Sequence, residues 1–336
     1  MTTKQNTKAA ESIYEIVARW TLRDGPTQHL SATRDLLRFL TDELYHEYQP
    51  FSEKPLFWER LARWLSNVKS EADQQRLFEF VPWMLFVGSK EMATMYRAAF
   101  TGPITRWIID EAGLDIADPG LSGHFALELR RTWFGSLAGM DIGSFMRVNG
   151  LDEQSLRPDF RVLTFLGDPS KIRDYLTGNE HNQEGYRRIV VVEDVVGTGQ
   201  QMKKAVPVLQ VLKDVPILLC PIIVAQEGFN VGMEIERANE HIVFREHFRV
   251  PQSATVSHDF RADDDPAIVS IRELITRTWP RLKNSKSYDK PFGFQNSGSL
   301  LLTYLNCPNN VPPLIHRQID GDDGWVPLFP RVVRET

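Results

Sequence analysis

The sequence predicts an α/β protein with a parallel-rich sheet, preceded by an α-helical domain. Between residues 161 and 244, short apolar runs of strand type alternate with helix-like segments. One run, Ile189-Val190-Val191-Val192, is continuously β-branched, as expected of a central strand covered on both faces. Upstream of residue 115, apolar residues recur instead at helical spacing.

In the N-terminal part, Ile13, Ile16, Val17 and Trp20 share one helical face. Leu36, Leu37, Leu40, Leu44 and Tyr45 repeat the pattern, as do Phe57, Leu61, Trp64, Leu65 and Val68. A fourth helical stretch runs over 77–84, and Pro50, Pro55 and Pro82 punctuate or kink these segments. The many aromatic residues would also suit a ligand box, but their amphipathic spacing reads as helical core. Gly88-Ser89-Lys90 matches a fragment of a phosphate loop without the rest and reads as a helix start. Gly102-Pro103 opens a helix over 104–112. The Gly-, Asp- and Pro-rich stretch 113–123 reads as a linker. The expected division is therefore an α-helical domain over 1–115 and an α/β domain over 116–336.

Within the α/β part the expected elements are a helix over 125–133, a strand over 161–166 ended by Gly167-Asp168-Pro169, and a strand over 188–192. A helix over 200–212, a buried strand over 215–224, a short helix over 231–239 and a strand over 242–244 follow. The tail reads as a helix over 268–279, a polar loop over 284–290 and a strand over 299–305. The rigid turns Asn306-Cys307-Pro308-Asn309-Asn310 and Pro312-Pro313 close it as a C-terminal cap.

The 336 residues leave room for a large and a smaller domain. A net charge of −5 without a basic block argues against strong nonspecific nucleic-acid binding. Cys220 sits in an apolar run and Cys307 in a turn, so no disulfide framework is readable. The first ten residues are polar, and no apolar run approaches the roughly 20 residues that span a bilayer. A reducing cytoplasm, with no membrane association, is the expected setting.

The segment Glu193-Asp194-Val195-Val196-Gly197-Thr198-Gly199-Gln200-Gln201 follows the β-branched run. It reads as strand end, acidic pair, tight loop and helix start. Ligands of open α/β sheets bind at the carboxyl ends of strands. A helix N-terminus favours an anion, two glycines allow close backbone approach, and the Thr198 hydroxyl adds a donor. One side of the segment thus offers acceptors for sugar hydroxyls, the other a phosphate cradle. A dinucleotide-binding glycine motif would need glycine at Met202, and a P-loop NTPase would need an upstream G-x-x-x-x-G-K-[ST], which the chain lacks. The histidines show no H-E-x-x-H spacing, and Ser144, Ser253 and Ser299 lack a G-x-S-x-G setting. Asp263-Asp264-Asp265 reads as a solvated loop or helix start.

This segment resembles the signature of type I phosphoribosyltransferases. The resemblance implies a sheet of phosphoribosyltransferase type, with Glu193 and Asp194 contacting the ribose hydroxyls of phosphoribosyl pyrophosphate. Gly197, Thr198, Gly199, Gln200 and Gln201 would then hold the 5-phosphate. Gln201 departs from the family's usual Thr or Ser. Gly167-Asp168-Pro169-Ser170-Lys171 and the stretch 135–143 compete for the pyrophosphate-holding role, and Glu227 is placed for the base side. The family's chemistry implies Mg²⁺ carried in on pyrophosphate oxygens. The pattern from Asn306-Cys307-Pro308-Asn309-Asn310 to Trp325-x-Pro327-Leu328-Phe329-Pro330-Arg331 resembles phosphoribosyltransferase-like effectors of bacterial conflict systems. Some of those accompany reverse transcriptases in retron anti-phage loci with a winged-helix partner. That implies an effector with a protein partner or its own copy on the helical domain. A non-catalytic nucleotide-sensing module and a housekeeping salvage phosphoribosyltransferase are the alternatives.

Overall fold

The computed structural model of the protein describes residues 3–24, 28–51, 56–137, 140–151, 176, 185–256, 258–259, 264–283, 289–321 and 324–332. Its strands are β1 (Leu85–Val87), β2 (Thr132–Gly135), β3 (Arg188–Val196), β4 (Ile217–Val224), β5 (Ile242–Phe244), β6 (Phe248–Arg249), β7 (Asp289–Lys290), β8 (Gly293–Phe294) and β9 (Leu301–Thr303). The chain divides into two compact units. One is Lys90–Val250; the other joins Met1–Ser89 to Pro251–Thr336.

The unit Lys90–Val250 holds a parallel sheet in the order β2-β3-β4-β5, with β6 running beside the far end of β4. Strand β3 is buried on both faces, as its β-branched composition requires. Trp133, Ile189, Val191, Ile217 and Leu219 pack on one face against the helices Gln200–Leu209 and Gln226–Ala238. Phe134 points to the other face, where it meets Phe145 of the helix Ile142–Val148 with ring centroids 6.2 Å apart. Tyr96 and Phe100 complete that aromatic group. The helix after β2 thus lies on the opposite face from those after β3 and β4. Ligands of open α/β sheets bind beyond the carboxyl ends of such parallel strands, the end at which β3 carries Glu193 and Asp194. At the other end of the sheet, Glu128 of the helix Leu121–Arg130 pairs with Arg131 at 2.9 Å and Arg188 at 2.8 Å. Burial raises the Glu128 pKa, but the two arginine partners outweigh it and hold the carboxyl below the usual range.

The other unit is helical, with the parallel pair β1–β9 and the hairpin β7–β8. Trp20, Tyr45, Trp64, Phe78, Trp325 and Phe329 share its core. The tail motif is built into this unit. Trp64 and Trp325 both donate their indole N–H to the Leu314 carbonyl, at 2.8 and 3.0 Å. The Tyr48 hydroxyl donates to the Pro330 carbonyl at 2.8 Å. The Asn306 side chain donates to the Val332 carbonyl at 2.7 Å and accepts from the Cys307 and Val332 N–H groups.

Several boundaries differ from the sequence expectation. Residues 90–112, expected in the helical domain, belong to the unit with the sheet, because Tyr96 and Phe100 pack on Phe145. The tail expected to cap the α/β domain groups with the N-terminal helices instead, through the hydrogen bonds above. The helix expected over 125–133 ends at Arg130; Trp133 joins β2 opposite Ile189, where strand pairing overrides helical spacing. The helix expected over 231–239 begins already at Gln226. Residues 161–166 and Gly167-Asp168-Pro169-Ser170-Lys171 lie outside the described residues. Ser89 starts the helix Ser89–Ala99, as expected of Gly88-Ser89-Lys90. Asp265 caps the helix Pro266–Leu282 by accepting from the Ala267 N–H at 2.8 Å.

Candidate functional site

Strand β3 outruns its neighbour. Its Val191 lies opposite Gly135, the last residue of β2, so Glu193 stands level with Leu137 in the turn that follows. Glu193 is buried at 4% exposure, and its Oε1 accepts the Leu137 backbone N–H. Asp194 is partly exposed and by strand alternation faces the other way; its Oδ1 accepts the Val195 N–H at 2.7 Å. The acidic pair is therefore split between two environments at the carboxyl end of β3.

The loop Gly197-Thr198-Gly199 then turns the chain into the helix Gln200–Leu209, with no side-chain hydrogen bond capping its start. Gly199 has φ +72°, and a Cβ there would lie 2.7 Å from Val231 Cβ, so conformation and space both demand glycine. Gly228 plays the matching part: a Cβ there would lie 2.6 Å from the Gly197 carbonyl oxygen. The helix Gln226–Ala238 thus presses against the loop and fixes its shape. Thr198 is 8% exposed, and its hydroxyl has no hydrogen-bond partner among the described residues. Gln200 is partly exposed and Gln201 exposed in the first helical turn. Open first-turn amides, a buried hydroxyl and a dipole of the right sign suit a phosphate monoester.

Glu227 lies beside this loop in the first turn of the helix Gln226–Ala238, where desolvation raises its pKa. His247, between β5 and β6, has its pKa lowered by desolvation and donates its backbone N–H to Pro221. Arg249 lies over the Phe229 ring at 3.4 Å and pairs with Glu246. Cys220 is enclosed in β4, and burial, with Glu246 nearby, pushes its thiol pKa up to about 12, which leaves it inert. Among the described residues no three His, Cys, Asp or Glu side chains gather into a metal-binding set. A hard cation here would draw its ligands from the oxygens of a bound phosphate or pyrophosphate, a donor set suited to Mg²⁺.

Sequence reasoning singled out the loop, the acids and, within 135–143, the turn that holds Leu137, but not the parts played by Gly228, Val231 or the Leu137 amide. Their parts arise from packing between segments far apart in the chain, and neither a glycine inside a helix nor a Leu amide carries a sequence signal for it.

A parallel sheet with an acidic pair and a Gly-Thr-Gly loop at the end of a buried strand places this chain in the class of open α/β domains that bind ligands at the carboxyl ends of their strands. A family model described as PRTase-CE matches residues 61–331, and the chain belongs to that phosphoribosyltransferase-like family. The matched span takes in both the loop and the tail motif. No curated protein and no solved structure matches the chain.

Proposed function

We propose that the chain binds a 5-phosphorylated ribose, in phosphoribosyl pyrophosphate or a nucleotide, and transfers the phosphoribosyl group at its anomeric carbon. The observation that carries this reading is the Gly197-Thr198-Gly199 loop, opening an uncapped helix beside Asp194. Gly197, Thr198, Gly199, Gln200 and Gln201 hold the 5-phosphate, which fixes the sugar by positioning. Asp194 accepts from a ribose hydroxyl, and its charge favours the oxocarbenium-like state that develops when the anomeric bond breaks. The turn after β2 takes the pyrophosphate side. Mg²⁺, when bound, neutralises the charge of the leaving pyrophosphate.

The role beyond binding rests on the tail motif's resemblance to effectors of conflict systems: an anti-phage, retron-associated toxin acting in the cytoplasm on a nucleotide or nucleic acid. No described helix is long and apolar enough to cross a membrane. The helix Gln28–Glu43 exposes Leu36 (44%) and Phe39 (61%), a surface for a partner chain or a second copy; a winged-helix protein or a reverse transcriptase fits the resemblance. A second reading, a non-catalytic nucleotide-sensing module, is favoured by Gln201, whose amide stands where the family places Thr or Ser.

Mass spectrometry of nucleotides and nucleic acids after induction distinguishes the two. The transferase reading expects a modified species or a depleted pool with the wild-type chain and none with Asp194→Ala. Identical pools in both would overturn it in favour of the sensing module.

A further inference from the structure

The two acids of the pair face different surroundings, and this assigns them different work. We infer that Glu193 is a positioning residue: its carboxylate tethers the turn after β2, while Asp194 alone meets the ribose. The inference rests on the phosphoribosyl reading for the identity of the ligand, but not for the tether itself.

Glu193 has almost no surface for a ligand to touch, being 4% exposed. Its Oε1 is engaged by the Leu137 N–H, across the gap where β2 has ended and β3 continues. A carboxylate carried into a sheet interior needs charge-assisted hydrogen bonds to stay there. The turn needs an anchor equally, because the β2–β3 ladder ends at Gly135 opposite Val191. Within the turn, the buried Ser136 hydroxyl reaches the Met140 carbonyl at 3.5 Å, a long contact that holds little by itself. Among the described residues, the Glu193 carboxylate is therefore a charge-assisted link between this turn and the strand that carries the phosphate loop. The distance from the 5-phosphate cradle to the pyrophosphate side is then set through Glu193, by way of backbone.

The test measures calorimetric affinity for phosphoribosyl pyrophosphate and for ribose 5-phosphate, together with hydrogen exchange at the Leu137 amide. A tether makes Glu193→Ala lose about tenfold in affinity for the pyrophosphate compound, with ribose 5-phosphate changed by less than about twofold. The Leu137 amide then exchanges at least about tenfold faster in the free protein. Glu193→Gln keeps an acceptor oxygen, so the same selective loss shrinks to about threefold, and this variant carries the test where the alanine protein does not fold. Asp194→Asn weakens both ligands and leaves Leu137 exchange unchanged. Equal losses for both ligands in the Glu193 variants, with unchanged Leu137 exchange, overturn the tether and put Glu193 on the ribose. If the wild-type chain binds neither ligand, the phosphoribosyl reading fails, and Leu137 exchange alone then decides whether Glu193 is an anchor.

Discussion

At the scale of single residues, the loop is shaped by what it must avoid. Gly199 is glycine for two reasons independent of any ligand: a left-handed φ and the side chain of Val231. Gly199→Val is therefore expected to destabilise the unfolded–folded balance by at least about 2 kcal/mol, from backbone strain plus overpacking. Chemical denaturation without ligand measures this. A Gly199→Val protein as stable as wild type would mean that the loop relaxes away from Val231. For the same reason this substitution is a poor probe of phosphate binding, and Thr198→Val is the better one. It keeps shape at a buried site and removes a hydroxyl that has no described protein partner.

At the scale of elements, the sequence made the central strands and their helices legible. The β-branched run became β3, the apolar run over 215–224 became β4, and the loop between β3 and the next helix stands where its glycines indicated. Periodicity could not show that Trp133 pairs with Ile189, because a short amphipathic run suits helix and strand alike until its partner is known. Nor could it show that the tail folds back onto the first helices, since Trp325 and Trp64 share the Leu314 carbonyl from positions far apart in the chain. The short helix Pro313–His316 gives this tail a pH dependence. Burial, followed by the charge of Arg331, lowers the His316 pKa to about 4, and the ring meets the Val311 carbonyl at 3.1 Å. The folded-state pKa is depressed, so the neutral ring's contribution is present above the unfolded value near 6.5 and is lost as pH falls towards 4. The loss amounts to about 3 kcal/mol across that window. Comparing the stability of wild type and His316→Gln at pH 7 and pH 4 isolates this contribution from that of the carboxylates. Parallel pH profiles would show that the fold does not lower the His316 pKa.

At the scale of the whole molecule, one unit carries the sheet and the Gly197-Thr198-Gly199 loop, and the other gathers both ends of the chain. A discontinuous unit leaves no mark in composition, which is why a linear boundary near 115 was the natural expectation. The exposed Leu36 and Phe39 give the helical unit a surface to offer. Light scattering on the full chain, alone and mixed with the products of neighbouring genes, is expected to show a dimer or a complex; a strict monomer that binds none of them would leave those helices a purely internal role. The central claim, a phosphoribosyl group held by Gly197-Thr198-Gly199, is tested most directly by thermal unfolding with Mg²⁺ and phosphoribosyl pyrophosphate. A ligand that binds only the folded state at about 100 times its Kd stabilises it by about 2.7 kcal/mol, a rise of several degrees in Tm. The wild-type chain is expected to show that rise and Thr198→Val, equally stable without ligand, to need at least about tenfold more ligand to match it. No rise at millimolar ligand in the wild type, or an identical titration in the variant, would contradict the placement of the phosphate in this loop.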